Sequence, residues 1–319
     1  MKQDRIPVKE YVKQEVSPLN LLLFVADRCN FTCPYCYNRM PRHQNNADLD
    51  LFYKYIADIH KKLPTRELNV SLIGGEPTLH PNLLDFCGKL QQLDRVCIEV
   101  LTNFTKPLDY YIDLLKNDIK IAASWHRAPN DMLNWDYVEK MKKIPYKYFT
   151  NDQVEVRIMM ENDNWENSRK VFNELYPPFK KYVEISLLSN NNGKPYRYTD
   201  KQLEEYRQLI ILTKYKRDFF TVVYDDGSES QVSFSDMYLN PQVNFHLWKC
   251  NAGLDYLYVH ANGDVYNCQS YYEHNRKPIC NIVDTNGEYI KELYKPCICA
   301  VDYCSCDFDV TKERIINVH

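Results

Sequence analysis

Six short apolar runs alternate with longer amphipathic segments in the first two thirds of the chain, and this alternation restricts the folds open to it. Short runs that are apolar on both faces and joined by helices predict a parallel sheet with helical crossovers. The predicted strands are residues 19–26, 68–73, 96–102, 119–124, 154–160 and 183–188. Predicted helices between them include residues 48–63, 81–92 and 109–117. The sequence therefore predicts an α/β fold made of six βα units.

The composition is that of a globular chain of one or two domains. The sequence is 45% hydrophobic and 26% charged, with a formal net charge of -3. No apolar run approaches the length needed to span a bilayer, and the N-terminus does not read as a secretory signal. We therefore predict a cytoplasmic protein without membrane attachment, in which twelve cysteines indicate metal binding more than disulfides.

Three cysteines follow the first predicted strand, in the segment Cys29-Asn-Phe-Thr-Cys33-Pro-Tyr-Cys36. Thiolates at this C-x3-C-x2-C spacing can converge on one soft metal centre. They are one short of the four that close a zinc site or complete an iron-sulfur cube. A [4Fe-4S] cluster held by three thiolates leaves one iron open to a ligand with an amine and a carboxylate. A zinc site remains the alternative interpretation of the triad.

A second motif, Gly74-Gly75-Glu76-Pro77, stands at the end of the second predicted strand. Paired glycines let a main chain approach a ligand closely, and a carboxylate suits an ammonium group. Alone the motif could be a simple turn. At a strand end of a parallel α/β fold, next to the cysteine loop, it marks the edge where such folds place their chemistry.

The cysteine triad and the Gly-Gly-Glu-Pro motif together resemble the radical SAM superfamily. The resemblance implies a partial (β/α)6 TIM-like barrel with a [4Fe-4S] cluster on Cys29, Cys33 and Cys36. It also implies that the open iron binds S-adenosylmethionine (SAM) and passes it one electron. SAM cleavage then gives a 5′-deoxyadenosyl radical that takes hydrogen from a substrate. An external one-electron reductant is implied as a partner.

The same resemblance implies the residues that contact SAM. They are Tyr35, whose backbone would meet the adenine, Gly74, Gly75, Glu76 and Pro77 around the methionine ammonium, and Asn103, Ser124 and Arg157 near the ribose or carboxylate. For the last three, a capping role or an arginine satisfied by Glu155 or Glu99 is the competing interpretation. His126 and Arg127 follow the fourth strand and are candidates for substrate contact.

Seven cysteines crowd the last seventy residues, at positions 250, 268, 280, 297, 299, 304 and 306. Asn262-Gly263 between two strand-like runs predicts a hairpin. Cys250, Gly263 and Cys268 resemble the C-x9-15-G-x4-C opening of the SPASM and twitch extensions, which bind auxiliary iron-sulfur clusters. The later cysteines depart from the full SPASM pattern. One auxiliary [4Fe-4S] cluster is predicted on Cys250, Cys268, Cys304 and Cys306, with zinc on the same residues as the alternative.

These features divide the chain into four predicted segments. They are an N-terminal arm (1–18), the radical SAM core (19–190), a bridging helix and hairpin (191–244) and a small cysteine-rich β-hairpin extension (245–319). The bridge combines a capping box at Thr199 to Gln202 with a hairpin signal at Asp226-Gly227.

Extended members of the superfamily often modify peptides, so the resemblance implies a peptide or other macromolecular substrate, with hydrogen taken from a side chain. The alternative enzyme is one that modifies a nucleobase or nucleic acid, since 26 tyrosines offer stacking surfaces and Lys140 to Lys147 is locally basic. The negative net charge disfavours nucleic acid, and the basic run is more simply a solvated helix end. A zinc-bound interaction module is the alternative that is not an enzyme.

Overall fold

The computed structural model describes residues 8–12, 18–36, 46–129, 133–188, 196–213, 219–233, 245–290, 294–299 and 311–314. Its strands, numbered along the chain, are β1 (Val8–Val12), β2 (Leu19–Ala26), β3 (Leu68–Gly74), β4 (Val96–Thr102), β5 (Lys120–Trp125), β6 (Val154–Met160), β7 (Val183–Leu187), β8 (Phe219–Tyr224), β9 (Glu229–Ser233), β10 (Lys249–Cys250), β11 (Tyr256–Val259), β12 (Asp264–Tyr266), β13 (Cys280–Asn281), β14 (Cys297–Ile298) and β15 (Lys312–Glu313). Its helices are α1 (Leu49–Lys62), α2 (Leu83–Leu90), α3 (Leu108–Lys116), α4 (Trp135–Lys143), α5 (Lys147–Thr150), α6 (Trp165–Phe179), α7 (Asp200–Leu212) and α8 (Gln269–Glu273).

The larger sheet contains the six predicted strands, β2 to β7, in sequence order and all parallel. The predicted α/β fold is thus confirmed, and strand bounds differ from prediction by no more than a residue. Strand β2 is buried along nearly its whole length, because both faces of a parallel sheet are covered. The carboxyl ends of all six strands therefore meet at one edge of the sheet.

Helix α1 illustrates how the crossovers cover the sheet. The Asp48 carboxylate accepts hydrogen bonds from the backbone of Asp50 and Leu51, both at 3.0 Å, and so caps the helix N-terminus. Its apolar stripe, which includes Phe52 and Ile56, is buried in the main hydrophobic core. Each such crossover returns the chain to begin the next parallel strand.

The predicted hairpin at Asn262-Gly263 is present as β11 and β12. Gly263 has a φ of 88°, a left-handed conformation that favours glycine at this turn. Strand β11 pairs in parallel with β2, with Tyr256 opposite Asn20. The larger sheet thus continues from the barrel core into the C-terminal extension, in the order β13-β12-β11-β2-β3-β4-β5-β6-β7.

A smaller sheet has the order β14-β10-β15-β1-β8-β9. It draws β1 from the predicted N-terminal arm and β8 and β9 from the predicted bridge, where the hairpin at Asp226-Gly227 is confirmed. Its other strands come from the cysteine-rich extension. Three segments that the sequence separates therefore pair as one sheet, and the four-segment division stays a prediction.

Two further features bear on the predictions. Helix α7 begins with the predicted capping box, in which Gln202 N donates to Thr199 Oγ1 at 3.2 Å. Helix α4 ends in the basic run, but Lys140 is buried, where its ammonium donates to the carbonyls of Phe104 and Lys106. The solvated-end interpretation is therefore wrong for Lys140. No helix in the described ranges is both long and apolar enough to cross a bilayer.

Candidate active site

The three clustered cysteines lie in the loop that follows β2, and all three side chains are partly exposed. Cys29 Sγ accepts a hydrogen bond from Phe31 N at 3.4 Å and lies 3.8 Å from Asn103 Nδ2. Burial, together with repulsion from Cys36 and Cys29, raises the pKa of Cys33 to about 12. The three thiols thus lie close enough to oppose one another's ionisation.

The two motif glycines bring the end of β3 against this loop. Gly75 N donates to Ala26 O at 2.6 Å, and Glu76 N donates to Arg28 O at 2.7 Å. A Cβ on Gly75 would lie 2.3 Å from Arg28 O, and one on Gly74 would lie 2.3 Å from Ala26 O. The glycines are therefore needed for contact between two stretches of protein backbone. The SAM contacts implied for these residues stay a prediction.

Glu76 is 1% exposed, and its carboxylate is engaged within the protein. Oε1 accepts from Thr78 N, Thr78 Oγ1 and Thr102 Oγ1 at 3.1, 2.6 and 2.7 Å, and Oε2 accepts from Asn103 N at 2.7 Å. Burial raises the pKa of Glu76, and these donors oppose that shift. The carboxylate thus joins the ends of β3 and β4. Its predicted contact with the SAM ammonium would use the capacity that these donors leave on Oε2.

Asn103, Ser124 and Arg157 lie at different distances from the cysteine loop. Asn103 borders it, donating to Asn30 Oδ1 at 2.8 Å as well as lying close to Cys29 Sγ. Ser124 of β5 stands opposite Arg157 of β6 in the sheet register. Arg157 forms ion pairs with Glu155 at 2.6 Å and Glu184 at 3.0 Å, and one of these partners is the Glu155 that the competing interpretation named.

A buried network connects the cysteine loop to the ends of β5 and β6. The Tyr35 hydroxyl lies 2.8 Å from His126 Nδ1 and donates to Glu161 Oε1 at 3.1 Å. Arg127 Nε lies 3.0 Å from Glu161 Oε2, as an ion pair without the alignment of a hydrogen bond. Burial lowers the pKa of His126 to about 4, so its ring is neutral near pH 7. The network holds the Tyr35 hydroxyl, and Tyr35 stands between Cys33 and Cys36 in the sequence.

Sequence reasoning missed Glu161 and gave Tyr35 a backbone role only. Glu161 is fully buried and follows β6 directly, as Asn103 follows β4. An acidic residue at a strand end was the signal that would have found it, because the carboxyl ends of parallel strands share one edge. His126 and Arg127 directly follow β5 at the same edge, and their contact with substrate stays a prediction.

Four cysteines of the extension come together at the smaller sheet. Cys250, Cys268 and Cys299 are buried in one apolar group with Cys297 packed against it. Cys250 of β10 stands directly opposite Cys297 of β14, and a hydrogen bond from Cys297 lowers the pKa of Cys250 to about 6. The Tyr271 hydroxyl beside them donates to Ile298 O at 2.7 Å. The structure thus gathers the cysteines at 250, 268, 297 and 299.

The other cysteines of the extension differ. Cys280 lies on β13 opposite Val265 and packs against the main core of the barrel. Cys280 therefore packs in a different cluster of side chains from the four-cysteine group. Cys304 and Cys306, the predicted third and fourth ligands, lie outside the described residues.

The sequence model of the radical SAM superfamily matches residues 23–150, which include the cysteine loop, the Gly-Gly-Glu-Pro motif and the edge that joins them. This stretch of the chain is a radical SAM domain. Members of the radical SAM superfamily are enzymes, and the family implies a [4Fe-4S] cluster and SAM as cofactors.

Two curated relatives align with part of this radical SAM chain. The PqqA peptide cyclase of Methylorubrum extorquens is 31% identical over 77 residues, which are 24% of this chain and 20% of the relative. The GTP 3′,8-cyclase of Pseudomonas putida is 35% identical over 77 residues, which are 23% and 22% of the two chains. The match therefore covers about a fifth of the length of these relatives.

Two solved structures resemble the whole radical SAM fold more broadly. Streptococcus suis SuiB has a TM-score of 0.57 at 15% identity, covering 87% of this chain and 67% of SuiB. The enzyme anSMEcpe with bound AdoMet has a TM-score of 0.57 at 16% identity, covering 87% of this chain and 80% of that one. At these identities the similarity is one of fold.

The cysteine groups of this radical SAM protein suit iron-sulfur clusters by the chemistry of their donors. Thiolates are the soft ligands that bind such clusters, and the three-cysteine loop leaves one coordination position for SAM. No three histidine, cysteine, aspartate or glutamate side chains in the described part of the chain converge as the ligands of a single metal ion would.

The contact at Gly75 gives a direct test of how the cysteine loop is positioned. In Gly75→Ala, the new Cβ would overlap Arg28 O, so β3 or the loop must shift, at a cost of about 1–3 kcal/mol for overpacking. We expect lower stability in urea unfolding and at least half of the iron lost from the triad. Gly88→Ala in α2 is the matched control, because nothing lies within 4 Å of its Cβ. Full iron content in Gly75→Ala would show that the loop tolerates the displacement.

Proposed function

We propose that this protein reductively cleaves SAM and uses the resulting radical to take hydrogen from a side chain of a peptide or protein. The observation that carries the proposal is the backbone contact between the Gly-Gly-Glu-Pro turn and the cysteine loop, at the shared edge of six parallel strands. A cluster at Cys29, Cys33 and Cys36, when reduced with SAM bound, would supply a 5′-deoxyadenosyl radical.

Under this proposal, the protein's own residues hold and orient the reactants. The cysteine loop binds the cluster, and hydrogen bonds from Gly75 N and Glu76 N fix that loop to the end of β3. Tyr35 is held by His126 and Glu161, which sets its ring and the adjoining backbone for contact with adenine. The His126 ring is neutral near pH 7, and the Glu161 carboxylate is paired with Arg127.

We further propose that Cys250, Cys268, Cys297 and Cys299 hold an auxiliary [4Fe-4S] cluster. The proposal is supported by one apolar group, in which Cys250, Cys268 and Cys299 are buried and against which Cys297 packs, and by the pairing of Cys250 with Cys297. This ligand set replaces Cys304 and Cys306 of the sequence prediction with the two cysteines that the structure brings to Cys250. Parallel pairing of β11 with β2 connects the extension to the strand that carries the SAM-binding loop.

A peptide substrate is supported by the printed names of similar proteins. One curated relative is a PqqA peptide cyclase, and SuiB bound to its precursor peptide SuiA has a TM-score of 0.54 to this chain. The nucleotide alternative is favoured by one observation, the partial match to GTP 3′,8-cyclase. An external one-electron reductant is required under either proposal.

Transfer of deuterium tests the substrate class. The anaerobic, reduced protein would be given SAM and either a library of deuterated peptides or deuterated GTP or RNA. We expect deuterium in 5′-deoxyadenosine, read by mass spectrometry, with the peptide only, because the abstracted atom moves to the cleaved cofactor. Transfer from GTP or RNA alone would replace the peptide proposal with the nucleotide one.

A further inference from the structure

A buried lysine lies in the same row of residues as two of the extension's cysteines. Lys312 of β15 stands directly opposite Cys250 of β10, and Cys250 stands opposite Cys297 of β14 on its other side. Residues directly opposite one another in neighbouring strands project from the same face of a sheet. The three side chains therefore share one face across three strands.

That face is inside the protein. Lys312 is 1% exposed, and its ammonium lies 5.3 Å from the centroid of the Phe245 ring. Phe245 is itself fully buried in the apolar group that contains Cys250, Cys268 and Cys299. A charge in such a water-excluded layer is poorly screened, so the charge of Lys312 acts strongly on groups that share its face.

The neighbouring lysine shows that burial is specific to Lys312. Lys249 precedes Cys250, so it projects from the opposite face of β10. Its side chain is 51% exposed and forms an ion pair with Glu313 at 3.5 Å. The two paired strands therefore carry one lysine each. Lys249 of β10 is exposed to water, and Lys312 of β15 is buried beside the cysteines. The electrostatics agree, because the positive charge of Lys312 contributes to the lowered pKa of Cys250, after the hydrogen bond from Cys297.

We propose that Lys312 raises the reduction potential of the auxiliary cluster. The inference rests on the auxiliary cluster under the proposed function. When the cluster takes up one electron from the external reductant, its net charge becomes more negative by one and no bond breaks. A fixed positive charge in the same water-excluded layer stabilises the reduced state more than the oxidised state. Lys312 thus acts on the reduction potential through its charge and is not a ligand of the cluster.

The test is a redox titration followed by electron paramagnetic resonance. The background is the full chain with Cys29, Cys33 and Cys36 changed to Ala, so that the auxiliary cluster is the single cluster present. In Lys312→Met, we expect the ratio of reduced to oxidised cluster at the unsubstituted midpoint to fall about tenfold, which is about 59 mV for a one-electron couple. Lys312→Arg, which keeps the charge, and Lys249→Met, which removes an exposed charge, should stay within about twofold.

Each other outcome overturns the inference. A ratio unchanged in Lys312→Met, or shifted equally in Lys249→Met, would show that the charge is not sensed. If Lys312→Met loses iron, Lys312→Gln is measured instead, and loss of iron there too would assign Lys312 a purely structural role. If the background protein itself contains no cluster by iron and sulfide analysis, the auxiliary-cluster proposal has failed, which is established before any titration.

Discussion

Replacing Cys29, Cys33 and Cys36 together with Ala will abolish formation of 5′-deoxyadenosine from SAM. These thiols are the cysteine donors in the described part of the loop that the Gly-Gly-Glu-Pro turn holds, and SAM cleavage needs an electron from a cluster with an open iron. The loss of 5′-deoxyadenosine formation should be complete, because the auxiliary cluster proposed on four cysteines has no open iron for SAM. High-performance liquid chromatography of anaerobic, dithionite-reduced reactions measures it.

The fold should survive this substitution. The hydrogen bonds that join the loop to β3 run between backbone atoms of Gly75, Glu76, Ala26 and Arg28, so the thiols are not needed for them. Circular dichroism should match that of the unsubstituted protein, and about four irons should remain on the extension. Cys97→Ala is the matched control, since Cys97 is a partly exposed cysteine on β4. 5′-Deoxyadenosine formation retained in the triple variant would remove the triad from SAM chemistry.

The sequence predicts the strands of the barrel well because their apolar residues recur in short, regular runs. Residues 96–102 and 154–160 were predicted with the bounds that β4 and β6 have. In β6 every second residue is buried and the residues between them, which include Glu155 and Arg157, are partly exposed, so the alternation is visible in the local sequence. The same logic located the cysteine loop and the Gly-Gly-Glu-Pro turn at neighbouring strand ends.

The smaller sheet was not predictable in the same way. Strands β10, β14 and β15 have two residues each, too few for any periodicity to be read. Strand β15 also pairs with β1, which lies near the other end of the chain. The burial of Lys312 was equally unpredictable from the sequence, because lysine side chains are ordinarily exposed. Its burial follows only from its register opposite Cys250.

The rim network shows a third limit. Tyr35 and Glu161 meet through a hydrogen bond between residues 126 positions apart. The cysteine motif predicted an aromatic at position 35, but the partner of its hydroxyl is set by which strand ends are adjacent in the sheet. Sequence motifs thus identified the residues at the edge, and the parallel order of β2 to β7 decided which of them touch.

The extension's ligands separate the two halves of the chain experimentally. We expect about eight irons in the unsubstituted protein, for two [4Fe-4S] clusters, and about four in Cys250→Ala/Cys268→Ala. This variant should still cleave SAM without forming product, because its SAM-binding loop is intact. Finding four irons in the unsubstituted protein, with zinc in the extension, would refute the auxiliary cluster while leaving the radical SAM core in place.

Two further double variants decide the remaining ligands. Cys297→Ala/Cys299→Ala should also fall to about four irons, because these cysteines lie beside Cys250 and Cys268. Cys304→Ala/Cys306→Ala should keep about eight, and Cys280→Ala, whose thiol packs against the barrel core, is the matched control for loss of one cysteine. The reverse result, with iron lost only from the 304/306 variant, would restore the ligand set that the sequence predicted. It would also mean that Cys250 and Cys297 separate when the cluster binds. Their direct pairing across β10 and β14 would then exist only in the protein without a cluster.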